Sequence, residues 1–457
     1  MIFDQNSRFT SIRRYLQEKG EKCWSRMGTH MINRVGTSAF LQLLESVVRV
    51  ALNFVVMALV IRHLGPEMYA DIAIITTLYL FASIVARLGL PELLANLYAR
   101  KDIDLDKTTG AVFTLKILAG LISSSIFLLY VYVYYDESLL LIAFIYSASL
   151  VTQSLDFSES YLQANVRTER ILFSKIFQLL VTTAIKLAAI HAGSGVIVFA
   201  MVFVAELALL HFLYFMCYLK GLQRFVIYSP INFVSNYWRH FMPVMIANVV
   251  AIASIKIDSL MLYAMVSEVE YGIFSAVLKL SESWYFIPTI LALVISPQLV
   301  RWKESSDFLY YDYLVKLLVA GAVLSIVIAL ITGHFSNRIL NLLYGYEFSG
   351  GGSVLAIYIW CGVAICFNRF FIRHLVLMER QSVLIVKSVL MLILNVVLNF
   401  YLIPLYGALG AAYSTLISLV FGEFLVYILV PGFDKERRIV LEVSLKTLGF
   451  GWFVKWR

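Results

Sequence analysis

From residue 37 onward the chain alternates long apolar runs with short polar breaks in regular order. The runs fall at 37–61, 71–97, 109–134, 138–160, 171–191 and 195–219, then at 240–265, 271–299, 308–332, 352–376, 383–403 and 408–430. Each reaches the roughly 20 residues that a helix needs to cross the hydrocarbon core. The pattern therefore predicts twelve transmembrane helices, numbered spans 1–12. The long alternating strands of a β-barrel are absent. Residues 1–36 are polar and basic with no signal-type apolar core, which predicts a cytoplasmic arm. Its segment Ser11–Met27 suits the surface of an anionic leaflet. Residues 220–239 form the longest cytoplasmic connection and separate an N-terminal bundle, 37–219, from a C-terminal bundle, 240–430. Residues 431–457 form a charged cytoplasmic or interfacial tail carrying Trp452 and Trp456. The expected fold class is an all-α integral membrane protein with twelve transmembrane helices in two six-helix bundles.

Composition agrees and excludes a soluble enzyme. The 457 residues are 61% hydrophobic and 14% charged, with mean hydropathy +0.83. A soluble domain is about 45–50% apolar and about 25% charged. The formal charge of +8, from 37 basic against 29 acidic residues, raises nucleic acid as a partner, but its distribution gives topology instead. With the N-terminus inside, 24 of the 37 basic residues fall in inside segments, while the outside segments hold Arg62 and Arg338 alone. That asymmetry follows the positive-inside rule. It places both termini in the cytoplasm and removes the need for a nucleic-acid partner. Cys23, Cys217, Cys361 and Cys366 lack the spacing of a disulfide framework or a metal site.

Eleven basic residues remain inside the spans. Lys116, Lys175, Lys186, Lys316 and Lys387 lie near helix ends and are expected to snorkel. Arg49, Arg87, Lys256 and Lys279, with Glu45, Asp258 and Glu282, sit deeper. At roughly 2.5–3.5 kcal/mol each, this set would cost about 20 kcal/mol facing lipid, so its members must face one another or water. Glu45, Arg49 and Asn53 form one stripe on span 1, and Thr76, Tyr79, Ser83 and Arg87 another on span 2. Ser275, Lys279 and Glu282 form a third on span 8. Lys256 and Asp258, two apart, point to different sides of span 7, one to a cavity and one to a helix contact. Arg369 and Arg373 share a face of span 10, nearer the cytoplasm.

Ion pairs within single helices, Glu45–Arg49 and Lys279–Glu282, are the plainer reading of two stripes. The number of stripes and the excess of cations favour a hydrated, net-positive central cavity between the bundles. Arg49, Lys256 and Lys279, helped by Arg87, Arg369 and Arg373, are the candidates to hold an anionic head group such as pyrophosphate, and acidic sugars where the cargo carries them. Arg grips phosphate oxygens bidentately and Lys acts as a point charge. Glu45, Asp258, Glu282, Glu206 and Glu423 are candidates for proton or cation coupling. A faint internal similarity pairs Lys175 with Lys387 and Glu206 with Glu423, as a parallel repeat would.

Three stretches in order carry a family resemblance. Arg62-His63-Leu64-Gly65-Pro66-Glu67-Met68-Tyr69-Ala70 resembles the turn after the first helix of polysaccharide flippases, with Ala70 where the family usually has Gly. Ile257-Asp258-Ser259-Leu260-Met261-Leu262, then Tyr271-Gly272-Ile273-Phe274-Ser275-Ala276 and Ser296-Pro297-Gln298-Leu299, resembles their helices 7 and 8. Ile403-Pro404-Leu405-Tyr406-Gly407-Ala408-Leu409-Gly410-Ala411-Ala412, with Ser414-Thr415, resembles their helix 11–12 turn. The chain resembles the Wzx-type O-antigen or capsule repeat-unit flippases, in the superfamily that also holds multidrug exporters and the lipid II flippase. The resemblance implies two six-helix bundles around a central cavity and alternating access. It implies an undecaprenyl-pyrophosphate-linked oligosaccharide as cargo, moved from the cytoplasmic to the periplasmic leaflet of a bacterial inner membrane. It implies no cofactor beyond a proton or sodium gradient, and the chain has no Walker-type phosphate loop. Membrane lipid, a polysaccharide polymerase and a chain-length regulator are the partners it suggests, around a monomer.

Two enzyme readings compete. Asp102-Ile103-Asp104-Leu105-Asp106 contains the Asp-x-Asp spacing of metal and nucleotide-sugar sites, but lies in a short cytoplasmic loop. A membrane polymerase or ligase would need a large periplasmic loop, and the longest outside loop, about 333–351, is too short. A multidrug exporter would favour acidic cavity residues, and a lipid II flippase would have fourteen spans.

Overall fold

The Leu-Gly-Pro sequence at 64–66 is where the first long helix must bend, since Pro66 lacks an N–H and Gly65 tolerates a left-handed backbone. The computed structural model describes residues 5–100, 104–165, 167–220, 226–380, 382–429 and 433–447, with side chains from Glu45 onward except 92, 382, 385, 428 and 429. In it α1 (Gln5–Arg87) is broken at Gly65, with φ 72° and ψ 174°. The apolar part, Glu45–Arg87, is 43 residues long. At 1.5 Å per residue this is about 64 Å of helix, twice the ~30 Å of a hydrocarbon core.

The remaining helices are α2 (Leu90–Tyr98), α3 (Leu105–Tyr134), α4 (Glu137–Thr152), α5 (Phe157–Ala164), α6 (Thr168–His191) and α7 (Val196–Leu219). Past the midpoint come α8 (Ile231–Tyr263), α9 (Glu268–Glu282), α10 (Phe286–Ser305), α11 (Asp307–His334) and α12 (Ser336–Leu343). They are followed by α13 (Gly352–Tyr358), α14 (Cys361–Leu377), α15 (Ser382–Tyr406), α16 (Ala408–Val420), α17 (Val426–Leu429) and α18 (Asp434–Thr447). Among the described residues no strand forms. Ten helices there are long and apolar enough to cross a membrane, and an eleventh crossing arises if the segments 346–358 and 361–377, bent by 46°, act as one. Large apolar side chains such as Phe144, Phe173, Ile126 and Leu129 are exposed around these helices, as a lipid-facing surface requires.

The structure interrupts four spans that the sequence pattern reads as continuous. Span 2 ends at Arg87, where Leu88 (φ 54°) and Gly89 (φ 62°) form a left-handed turn. A Cβ on Gly89 would sit 2.8 Å from the Met245 amide of α8, so α8 passes too close for a side chain. Span 4 is divided by a 3-10 turn at Gln153–Asp156, span 8 between α9 and α10, and span 10 between α13 and α14. Helix α8 begins at Ile231, nine residues before the expected start of span 7. The arm's side chains, and Trp452 and Trp456 of the tail, lie outside the described residues, as does Asp102. Asp104 has a structural role: it caps α3 by accepting from the Lys107 amide at 3.2 Å and pairs with the Lys107 ammonium. That pairing holds the Asp104 carboxyl below its usual pKa.

The motif stretches meet one another. Gly272 of α9 packs on the Gly65-Pro66 break, where an added Cβ would lie 1.8 Å from the Pro66 carbonyl oxygen. Glu270 accepts a hydrogen bond from the Ala408 amide at 2.7 Å, capping α16 just after the positive-φ Gly407. The Gly272–Pro66 contact sets backbone against backbone, which cannot retreat by changing rotamer. Gly272→Ala should therefore destabilise the protein by about 1–3 kcal/mol, the usual cost of overpacking. Thermal unfolding in detergent reads this directly: an unchanged Tm would mean the two helices separate freely.

Candidate functional site

The polar stripe of α1 opens onto a cavity of ≈ 660 Å³. Arg49 and Asn53 line it from before the Gly65 break, and Thr76 from after it. Tyr146 of α4, Lys175, Gln178 and Lys186 of α6, and Glu206 of α7 extend the same wall. Lys279 and Glu282 of α9 and Phe286 of α10 close it from beyond the chain's midpoint. The charged lining is four cations against two acids. Phe54, Met57, Phe199, Phe203 and Leu207 make the rest of it apolar.

Most of these charges are matched. Arg49 Nε donates to Glu45 Oε1 at 2.8 Å within α1, the single-helix pair the spacing allowed. Lys186 Nζ reaches Glu206 Oε2 at 2.6 Å, and Gln178 Nε2 donates to the other carboxylate oxygen at 3.1 Å. Lys175 lies 3.7 Å from Glu159. Glu282 pairs with Lys256 of α8 at 3.2 Å and not with Lys279 of its own helix. Lys279 is exposed into the cavity and makes no ion pair among the described residues. Its helix neighbours account for this: Ser275 is buried in packing, while Glu282 is drawn off toward α8.

Other sequence candidates sit elsewhere. Arg87 lies at the far end of its stripe, 3.5 Å from Asp156, which also binds Lys116. Tyr79, between Thr76 and Arg87, accepts from Gln153 Nε2 at 2.5 Å. Arg369, Arg373 and Lys256 do not line the cavity. Glu423 is fully buried in the π-helical turn Phe421–Leu425, gripped by Lys387 at 2.8 and 2.9 Å, with Asn368 also accepting from that lysine at 3.0 Å. Lys116 and Lys387 therefore do not snorkel; each is buried against an acid 40 or 36 residues away. Only Lys316 of the five expected snorkelling lysines keeps that role, exposed beside Asp312 at 2.7 Å.

Asp258 faces away from Lys256, as their spacing on α8 predicts, and enters a helix contact. Thr415 Oγ1 donates to its Oδ2 at 3.0 Å and the Ser259 amide to its Oδ1 at 2.7 Å. Thr415 in turn touches Asn395, which bonds Ser418 at 3.2 Å and Asn399 at 2.8 Å. Asn399 Oδ1 is buried without a hydrogen-bond partner. Among the described residues no group of three or more His, Cys, Asp or Glu could hold a metal ion.

Sequence reasoning passed over Asp156, Lys175 and Lys186. Asp156 carried a readable signal, as a carboxylate in the middle of span 4. The lysines near helix ends gave none, because their place on the cavity wall depends on which helices are neighbours.

The long apolar helices define a multi-pass membrane protein. Among solved structures, the lipid II flippase MurJ in an inward closed conformation superposes with TM-score 0.66 at 17% identity, over 89% of this chain and 90% of that one. An inward-facing multidrug resistance MATE family transporter of the MOP superfamily superposes with TM-score 0.61 at 12% identity, over 87% and 95%. An outward-facing MATE structure follows at 0.52 and 13% identity, over 89% and 94%. Curated proteins give no match by sequence. Residues 35–301 match the family described as Polysaccharide biosynthesis protein, and the chain belongs to that family.

Proposed function

We propose that the protein is a flippase that moves an undecaprenyl-pyrophosphate-linked oligosaccharide from the cytoplasmic to the periplasmic leaflet by ion-coupled alternating access. The observation that carries this reading is a cavity lined by helices long and apolar enough to cross a membrane, with four cations, two acids and an apolar wall. Charges are costly there unless they face water or an ionic ligand. A phosphate head group attached to a lipid satisfies both surfaces. Counting the Gly65 break as a boundary between two crossings, and the bent 346–377 segment as one, gives twelve crossings in two six-helix bundles. The positive-inside asymmetry then puts both termini in the cytoplasm. A bacterial inner membrane, a monomer, and association with a polymerase and a chain-length regulator complete the proposal. An exporter of cationic drugs is disfavoured by the cationic surplus, which would repel them.

Asp258 is the best-placed coupling residue. It is 2% exposed, has no salt-bridge partner among the described residues, and joins α8 to α16 through Thr415. A buried carboxylate without a counter-ion invites a proton or a small cation. Asp258→Asn keeps an acceptor for Thr415 and should leave a folded protein. Its flipping in vesicles is expected to lose its response to an imposed ion gradient. An unchanged response would remove Asp258 from coupling. The function itself is tested by deleting the gene and restoring it on a plasmid. Surface polysaccharide should disappear and return, with lipid-linked repeat units accumulating in between; normal polysaccharide in the deletion strain would reject the proposal.

A further inference from the structure

Resting on the flippase reading, we infer that the sugars entering this cavity are uncharged, so that the cargo's only anionic group is its pyrophosphate. Arg49, Lys175, Lys186 and Lys279 stand against Glu206 and Glu282, a surplus of two positive charges. The side chains behind the wall reduce it further. Glu45 holds Arg49, Glu159 holds Lys175, and Lys256 neutralises Glu282. With these partners included, five cations meet four acids, and among the described residues of this set the single uncompensated charge is Lys279.

A pyrophosphate diester carries two negative charges. They take up the wall surplus of two and exceed by one the single positive charge left when the partners behind the wall are counted. A uronate or sialate carboxylate in the same cavity would be a third negative charge. It would face Glu206, whose oxygens are already taken by Lys186 and Gln178, or Glu282, which is held by Lys256. In a low-dielectric interior an unmatched charge is penalised steeply. The other polar groups on the wall are neutral: Asn53, Thr76, Gln178, Ser283, Tyr146 and Tyr344. Their hydroxyls, amides and aromatic faces suit sugar hydroxyls and C–H surfaces, with donors and acceptors of both kinds.

The test uses purified protein in proteoliposomes and two synthetic undecaprenyl-pyrophosphate trisaccharides that differ at one hexose carbon, CH₂OH in one and carboxylate in the other. The neutral compound should cross, and the uronate compound should cross about tenfold more slowly or worse, given the cost of an unpaired charge away from water. Glu206→Gln, which frees Lys186, should raise the uronate rate relative to the neutral rate. Glu282→Gln, freeing Lys256, should act in the same direction and serves if the first variant folds poorly. Equal or faster crossing of the uronate compound by the wild type would overturn the inference while leaving the flippase reading intact. Failure of both compounds to cross would overturn the flippase reading and this inference with it.

Discussion

Lys279→Ala is expected to reduce flipping by about 10- to 100-fold while the protein stays folded and at its normal level in the membrane. The size follows from losing one charge-assisted contact to phosphate, about 1.5–3 kcal/mol. The clean separation of function from stability follows from the ion-pair arrangement. Lys279 has no acid partner among the described residues, so its removal orphans no carboxylate. Arg49→Ala is the instructive contrast, because it strips the counter-ion from Glu45, only 7% exposed at its side chain. That variant should lose transport and some stability together. Lys279→Arg should keep much of the activity, since a guanidinium also binds phosphate. Surface polysaccharide in cells and membrane protein level measured side by side separate the two effects. Full polysaccharide in both Ala variants would end the idea of a cationic head-group site.

The second large effect is on stability. Lys387→Met should destabilise the protein by about 3–5 kcal/mol, because it leaves the Glu423 carboxylate buried and unpaired. The pair's side chains are 4% and 1% exposed, so water cannot take the lysine's place. Replacing both partners, as Lys387→Met with Glu423→Leu, should recover most of the loss, since two apolar groups need no counter-charge. Thermal unfolding of the three variants in detergent tests this. A single variant as stable as the wild type would mean that the pair is hydrated. A double variant that is stable yet inactive would give Glu423 the coupling role that its position in span 12 first suggested.

These two cases show what sequence pattern reaches. The twelve apolar runs, the cationic surplus and the break at Leu-Gly-Pro are local properties, and hydropathy with backbone chemistry exposes them. The same holds for the Glu45–Arg49 pair and for the divergence of Lys256 and Asp258, which helical geometry dictates. Interhelical partners are different. Lys387 with Glu423, Lys116 with Asp156 and Glu282 with Lys256 are set by which helices lie side by side, and no spacing along one chain encodes that. The left-handed turn at Leu88-Gly89 is similar in kind. Its need for glycine at 89 comes from the α8 backbone, which approaches too closely for a side chain, a fact that belongs to tertiary packing. The faint repeat does not extend to the ion pairs: Lys387 pairs with Glu423, whereas Glu206, which aligns with Glu423, pairs with Lys186.

On the proposed function, the α1–α6–α7–α9 cavity carries a lipid-linked pyrophosphate across the bilayer. The most direct test is reconstitution with a fluorescent, neutral undecaprenyl-pyrophosphate oligosaccharide placed in both leaflets. A membrane-impermeant quencher, added before and after incubation with an imposed ion gradient, reads the fraction in each leaflet. Wild-type vesicles should shift lipid between leaflets far faster than protein-free vesicles, and Lys279→Ala vesicles should lose most of that gain. Wild-type vesicles that match protein-free ones would contradict the account.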